Sequence, residues 1–109
     1  MSCFALSFEI LFTLSDEFIG FLDELARELG NGGGKVILTS SGIIYASENA
    51  LLQIHFSSDE ALYTPQIPIT RGFLRAVGKI TCSKALDCGS LYEVIYNIAK
   101  NRRLRIRVL

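Results

Sequence analysis

The chain has 109 residues, half of them hydrophobic and a fifth charged, with eleven basic and eleven acidic residues. This length holds one domain with one core, and the composition argues against a disordered chain, so we expect residues 1–109 to form a single domain. The charge is unevenly distributed, because residues 1–54 contain two basic and seven acidic residues whereas residues 55–109 contain nine basic and four acidic residues. Such an asymmetry permits a basic surface for an anionic partner, or an electrostatic contact between copies of the chain.

The longest apolar stretch does not predict a membrane segment. It reads FALSFEILFTL, is shorter than the roughly 18 residues that a membrane helix needs, and is interrupted by Glu9. No basic residue precedes it and no small-residue cleavage site follows it, which argues against a secretory signal. We therefore expect an intracellular protein, cytoplasmic or nuclear, that does not contact a membrane.

The three cysteines, Cys3, Cys82 and Cys88, are an odd number and form no C-x-x-C pair. This pattern argues against a secreted disulfide framework and against a standard zinc site. It predicts buried or half-buried free thiols, with a Cys82–Cys88 bridge or an intermolecular bridge as the alternatives in an oxidising setting. No motif predicts a cofactor or a metal.

The first two predicted elements are a strand and a helix. Residues 3–13, CFALSFEILFT, are rich in aromatic and β-branched residues that partly alternate, which favours a strand. Thr13 or Ser15 can then cap a helix that ends at Gly30. Its apolar residues recur at helical spacing, and these are Phe18, Leu22, Leu25 and Leu29.

A hairpin and a third strand are predicted next. The glycines of GNGGGKV lack the spacing of a phosphate-binding loop and indicate a turn. KVILT and IIYAS flank SSG, which predicts a hairpin with Gly42 at a position of positive φ. LLQIHFS adds a strand in which Leu52, Ile54 and Phe56 share one face and His55 lies on the other. With no nucleophile or second histidine at a suggestive spacing, His55 is interpreted as a surface residue.

The middle of the chain predicts an extended segment and then a short helix. TPQIPI, residues 64–69, is predicted to be extended, because each proline fixes its own φ angle and biases the residue before it toward an extended backbone. Thr70 can cap a helix through RGFLRAVGKI, with an apolar stripe on one face. Arg71, Arg75 and Lys79 lie four residues apart on another face of that helix, and Lys84 follows it.

The C-terminal part is ambiguous between strand and helix. Ser90 and Glu93 can form a capping box, whereas the Val, Ile and Tyr content of residues 90–98 favours a strand, and we predict the strand. AKNR is then a hairpin loop and RLRIRVL the returning strand. Its side chains alternate, with Leu104, Ile106 and Val108 on one face and Arg103, Arg105 and Arg107 about 6.8 Å apart on the other.

This order of elements resembles one domain of a sliding clamp of the proliferating cell nuclear antigen family. The stretches that carry the resemblance are FEILF, EFIGFLDELARELG, KVILTSSGIIYASENALLQIHF, DEALY, IPITRGFLRAVGKI and RRLRIRVL. The resemblance covers nearly the whole chain. It implies an α+β fold: a single clamp-like domain of two βαββ(β) halves, with two helices packed side by side on antiparallel sheet. In clamps, six such domains make a ring whose helices face duplex DNA through basic side chains.

The chain also departs from the clamp pattern. One domain would require six copies for a ring, and the connector that receives partner peptides in clamps is missing. The first helix carries five acidic residues against Arg27 alone, and acids facing a ring's bore would repel phosphates.

Two functions follow, neither of them enzymatic, because no catalytic constellation is present in the sequence. The first is a DNA-associated, self-assembling or partner-binding module in replication or repair, which touches phosphates through Arg71, Arg75, Lys79 and Lys84, unless these form only a solvated helix face. The second is a protein-interaction domain without DNA contact, which pairs through sheet edges with a copy or with another subunit. Arg103, Arg105 and Arg107 are expected on the face opposite the DNA side, as a docking surface for an acidic partner such as the first helix of another copy.

Overall fold

The computed structural model describes residues 3–56 and 74–109 of the chain. Its elements are β1 (Phe4–Phe12), α1 (Ser15–Gly30), β2 (Lys35–Leu38), β3 (Gly42–Ala46), β4 (Ala50–Phe56), β5 (Leu74–Cys82), α2 (Ala85–Asn101) and β6 (Arg105–Val108). The strands form a six-stranded sheet in the order β2-β3-β4-β5-β1-β6, and all neighbouring strands are antiparallel. Both helices pack on the same face of this sheet, which confirms the predicted α+β class.

The core lies between that face and the two helices. Phe8, Ile10 and Phe12 of β1 are buried there. The Phe8 ring meets the Tyr92 ring of α2 edge-on at 5.6 Å, and the Phe12 ring stacks on the Phe18 ring of α1 at 4.9 Å. Because side chains alternate along a strand, the odd-numbered residues of β1 point to the other side of the sheet, which we call the outer face.

The predictions for β1 and α1 are confirmed, including the burial of the four apolar helix residues. The predicted cap is wrong, because the N-cap residue is Leu14 and its side chain makes no capping bond. Glu17 supplies that function, since its Oε1 accepts hydrogen bonds from the backbone N–H groups of Leu14 and Thr13 at 2.9 Å and from the Thr13 hydroxyl at 3.0 Å. The bonds from Leu14 and then Thr13 lower the pKa of the Glu17 carboxyl.

The hairpin of β2 and β3 and the following strand β4 are also confirmed. The reason given for Gly42 is wrong, because Gly33 is the glycine with a positive φ in the described part of the chain. Gly42 is instead a strand residue packed against the neighbouring backbone. A Cβ atom there would lie 1.8 Å from the Ile54 carbonyl oxygen.

The helix predicted over RGFLRAVGKI is wrong where the structure describes it, because Leu74–Cys82 is the strand β5. The extended segment predicted for residues 64–69 lies outside the described residues. β5 sits between β4 and β1 and pairs with both along most of its length, so both of its edges are hydrogen-bonded. Ala76, Ile80 and Cys82 are buried toward the helices while Lys79 is exposed, which is a period of two. Pairing on two sides outweighs the weak helical stripe.

The strand predicted over residues 90–98 is also wrong, because these residues lie within the helix α2. Cys88, Ile95, Ile98 and Ala99 are buried, with Leu91 and Tyr92 half-buried between them. This spacing of three and four residues follows a helix and places one apolar face on the sheet. The proposed AKNR loop is accordingly the end of α2 and the turn after it.

The backbone repeats itself with an offset of 70 residues. β1 and β5 begin at residues 4 and 74, α1 and α2 at 15 and 85, and β2 and β6 at 35 and 105. In both copies the turn between helix and strand holds a residue of positive φ, Gly33 at 89° and Arg103 at 62°. The described chain therefore contains two βαβ units with the same spacing of elements along the sequence. Their last strands lie at different places in the sheet, since β6 is next to β1 whereas β2 is three strands away from β5.

The first strands of the two units, β1 and β5, are related by a local two-fold axis between them. Phe8 pairs with Gly78, its own equivalent 70 residues on, so the axis passes through this pair. Equivalent side chains converge at such an axis, and only one of them can be large. The Phe8 ring occupies the space of a Gly78 side chain, since a Cβ atom on Gly78 would lie 2.2 Å from Phe8 Cζ.

Candidate functional site

The four basic residues predicted to contact DNA do not share a helix. Arg71 lies outside the described residues. Arg75 and Lys79 lie on β5 and project from the outer face of the sheet, and exposed Lys84 is the N-cap residue of α2. The predicted common helical surface is therefore wrong in its geometry, because the segment that carries Arg75 and Lys79 is a strand.

The arginines of the last strand are separated as well. Arg105 and Arg107 lie on β6 and project from the outer face, where they pair with Leu11 and Glu9. Arg103 precedes β6 in a turn of left-handed backbone and does not belong to that face. The expectation that these arginines lie opposite Arg75 and Lys79 is wrong, since Arg75, Lys79, Arg105 and Arg107 share one side of the sheet.

The outer face is strongly basic. Its charged residues within the described strands are five bases and one acid, namely Lys35, Arg75, Lys79, Arg105, Arg107 and Glu9. Arg75 and Arg105 pair with Leu11 from its two sides, which places their Cα atoms about 10 Å apart. Lys35, Lys79, Arg105 and Arg107 are exposed and Arg75 is half-buried.

Glu9 is the acid at the centre of this basic surface. Its side chain is only 5% exposed, and its two carboxylate oxygens accept hydrogen bonds from Arg75 Nε, at 2.7 Å, and from Arg107 Nε. Burial alone would raise the pKa of the Glu9 carboxyl. The hydrogen bonds and positive charges of Arg75 and Arg107 outweigh that effect and hold the pKa below its usual value. Glu9 thus fixes two guanidinium groups on the outer face.

His55 also lies on the outer face and is exposed, as predicted. Its neighbour across the ladder is Val77, which in turn pairs with Glu9. His55 and Glu9 are therefore two strands apart, about 10 Å between Cα atoms, which is beyond hydrogen-bonding reach for a catalytic pair.

The helical side of the molecule carries the opposite charge in α1. Asp16, Asp23 and Glu28 are exposed there. Glu24 is bound to Arg102, whose Nε donates to its Oε1 at 2.8 Å, and this ion pair joins α1 to the end of α2. Arg102 reaches Glu24 across Gly20, where a Cβ atom would lie 2.7 Å from Arg102 Nη1.

The sheet has two edges, β2 and β6, which pair on one side only within residues 3–56 and 74–109. Since six strands alternate in direction, the two edge strands run in opposite directions. Ile37 and Leu38 of β2 are 56% and 52% exposed, and Val108 and Leu109 at the other edge are 51% and 57% exposed. Both edges thus combine open backbone groups with apolar side chains.

The cysteines do not form a reactive site. Cys82 and Cys88 are buried free thiols, as predicted, whereas the same prediction is wrong for Cys3, which is exposed at the start of the described residues. Burial, together with the neighbouring Cys88 thiol, raises the pKa of Cys82 to about 12, so its nucleophilic thiolate is scarce at neutral pH. The described residues contain no cluster of three or more His, Cys, Asp or Glu that could hold a metal ion.

An apolar cavity of about 290 Å³ lies between α1 and the turn that joins β2 to β3. Its lining includes Phe12, Phe18, Leu22, Leu38 and Phe56. Asp23 at the rim is the one ionisable group among its described lining residues. The lining suits an apolar side chain and offers no pair of groups for acid–base chemistry.

No model of a known protein family matches the chain, and no curated protein matches it. Neither helix described in the structure is long and apolar enough to cross a membrane.

The sequence analysis missed Glu9 as the organiser of the outer face. The alternation of Phe8, Glu9 and Ile10 already predicts that the carboxylate points away from the core. Its partners, however, come from β5 and β6, 66 and 98 residues further along the chain. Only the strand order brings them together.

Proposed function

We propose that the chain is a non-enzymatic assembly domain of the sliding-clamp type, which acts in association with DNA in replication or repair by binding a copy of itself or another subunit. The observation that carries this proposal is the pair of sheet edges, β2 and β6, which pair on one side only among the described strands and carry exposed aliphatic side chains. The repeat of two βαβ units at an offset of 70 residues supports the clamp-like organisation.

The edges suit assembly for two reasons. An edge strand presents unpaired N–H and C=O groups that can hydrogen-bond to another strand, and exposed aliphatic residues favour such pairing. Because β2 and β6 run in opposite directions, β6 of one copy and β2 of the next would pair antiparallel and continue the pattern of the sheet. Such a head-to-tail contact closes into a ring or extends into a filament, depending on the rotation between copies.

Solution mass measured by light scattering, across a concentration series, tests the assembly. We expect Ile37→Lys to weaken association at least tenfold, because a lysine at an edge opposes strand pairing. The matched control is Leu86→Lys, which makes the same change at an exposed leucine of α2 away from both edges. A wild-type chain that stays monomeric, or an equal loss in the control, would overturn the edge assembly.

The second candidate function is direct DNA contact, and the basic outer face favours it. The predicted residues Arg75 and Lys79 belong to this face, whereas Lys84 lies at the start of α2. DNA on the outer face would lie opposite the helices, unlike the arrangement that the clamp resemblance implies. The acidic α1 favours the alternative, a clamp-like interaction domain without DNA contact, because its carboxylates repel phosphates.

Fluorescence anisotropy of labelled single-stranded and duplex oligonucleotides at 50 and 200 mM salt distinguishes direct DNA contact from a protein-interaction function. Phosphate contacts predict binding that falls steeply with salt. Lys79→Glu should then weaken binding if the outer face is used, and Lys84→Glu if the start of α2 is used. Absence of salt-sensitive binding would leave the protein-interaction function.

A further inference from the structure

The two charged surfaces of this molecule lie on opposite sides of one sheet. The basic residues project from the outer face, and α1 lies on the other side with its exposed acids. The sheet separates the two surfaces, so one molecule cannot bring them together. Two copies can, because the chain as a whole has no net charge and each copy offers both signs.

The acids of α1 fall into two groups. Glu17 is engaged by the backbone at the start of the helix and Glu24 by Arg102. Asp16, Asp23 and Glu28 are exposed and form no ion pair with another described residue. These three carboxylates are therefore the part of α1 that can bind a basic partner at low desolvation cost.

The outer face is organised to receive such a partner. Glu9 holds the Nε atoms of Arg75 and Arg107, which orients both guanidinium groups while leaving the face with four more bases than acids. The Arg107 side chain stays 72% exposed in this contact. Lys79, on the other side of β1, is exposed as well.

The spacing of the two surfaces matches. Asp16 and Asp23 are seven residues apart on α1, which is about 10.5 Å along the helix, and exposed Ile19 lies between them. Lys79 and Arg107 pair with Ser7 and Glu9 from opposite sides of β1, which places their Cα atoms about 12 Å apart. Long basic side chains cover the remaining difference.

We infer that the outer face of one copy docks on the acidic surface of α1 of a second copy, with Lys79 and Arg107 facing Asp16 and Asp23. This contact rests on the proposed self-assembly for its choice of partner, but it uses a sheet face rather than a sheet edge. The two surfaces differ, so the contact is heterologous and open-ended. Since it joins exposed charges, it weakens as salt screens them.

Charge exchange between two variants tests the contact. Lys79→Glu/Arg105→Glu leaves three bases and three acids on the outer face, and Asp16→Lys/Asp23→Lys cancels the net negative charge of α1. Arg105 is changed in place of its neighbour Arg107 so that the ion pair of Arg107 with Glu9 is kept. Each variant alone should self-associate at least tenfold more weakly by sedimentation velocity at 50 mM salt, because the net attraction between the two surfaces is then lost. An equimolar mixture should regain association, because each variant keeps the surface that the other lacks.

The control Lys84→Glu makes the same change in net charge as Lys79→Glu at an exposed position outside the outer face. It should associate like the wild type, and circular dichroism should show the native fold in every variant. Lys79→Glu alone should give an intermediate loss, which keeps the test open if the double variant does not fold.

Three results would overturn the inference: no recovery in the mixture, wild-type association that does not fall between 50 and 300 mM salt, or an outer-face variant that loses oligonucleotide binding only. The edge variant Ile37→Lys separates the two levels of the proposal. If Ile37→Lys dissociates the chain and the charge variants do not, the face contact fails and edge assembly stands. If only the charge variants dissociate it, edge assembly fails and the face contact stands.

Discussion

The pair at the local two-fold axis gives the sharpest prediction for stability. Gly78→Ala would place a Cβ atom 2.2, 2.5 and 2.7 Å from three atoms of the Phe8 ring. That ring is fully buried and packs on Tyr92, so it has no free space into which to move. Overpacking of this kind costs about 1–3 kcal/mol, whereas replacing a strand glycine by alanine otherwise gains about 0.5–1 kcal/mol.

We therefore expect Gly78→Ala to lower the free energy of unfolding by about 1–2 kcal/mol, equivalent to a fall in Tm of roughly 4–15 °C for a chain of this size. Urea denaturation followed by circular dichroism measures it. Gly89→Ala is the matched control, because nothing lies within 4 Å of a Cβ atom at that helical position, and it should stabilise by about 1 kcal/mol.

A double-mutant cycle identifies the cause. Phe8→Leu removes the ring atoms that a Gly78 side chain meets, so Gly78→Ala should cost less in that background, with a coupling of at least about 0.5 kcal/mol. A Gly78→Ala protein as stable as the wild type, or additive effects of the two changes, would refute the packing argument.

The remaining predictions concern single residues. In the same urea assay, Gly33→Ala should destabilise the chain by about 1 kcal/mol and Arg103→Gly should stabilise it by about 0.5–1 kcal/mol, because both positions have positive φ. Changes of the same sign in the free energy of unfolding would contradict this prediction. The lowered pKa of Glu9 stabilises the folded state at pH values above the ordinary glutamate pKa of about 4.3, and this stabilisation is lost as the pH falls through the folded-state pKa. The difference in free energy of unfolding between wild type and Glu9→Gln should therefore shrink in acid. A difference that does not change with pH would contradict this prediction. A maleimide at pH 7.5 should label Cys3 in the native chain and Cys82 only after denaturation, which mass spectrometry of peptides reports; native labelling of Cys82 would show that it is accessible.

The N-terminal half of the fold could be predicted from local pattern, because β1, α1 and the β2–β3 hairpin have clear periods and are joined by short turns. In the C-terminal half only the last strand, β6, could be predicted, and it pairs with β1 instead of with residues 90–98 as expected. Residues 74–82 show a partial helical stripe, and only pairing on both sides makes them a strand. In residues 90–98 the β-branched and aromatic composition favours a strand, but burial of one helical face on the sheet outweighs that propensity.

The candidate surfaces were predictable to a similar extent. The alternation that places Arg105 and Arg107 on one side of a strand is confirmed by the register of β6. The sequence does not specify strand order, however, so it could not show that Arg75 and Lys79 join them. No local signal predicts the left-handed turn that removes Arg103 from this group. A glycine indicates such a turn at the equivalent position, Gly33, but position 103 is an arginine.

The position of β1 in the sheet has a consequence for how the chain folds during synthesis. Phe8 pairs with Gly78 on one side and with Val108 on the other, so both neighbours of β1 are translated much later than β1 itself. Until β5 emerges from the ribosome, β1, whose Phe8, Ile10 and Phe12 are buried in the folded protein, has neither partner, and such non-local pairing slows folding. A nascent chain would thus expose FALSFEILF until residues 74–82 have been translated, and transiently exposed apolar segments of this kind are prone to aggregate.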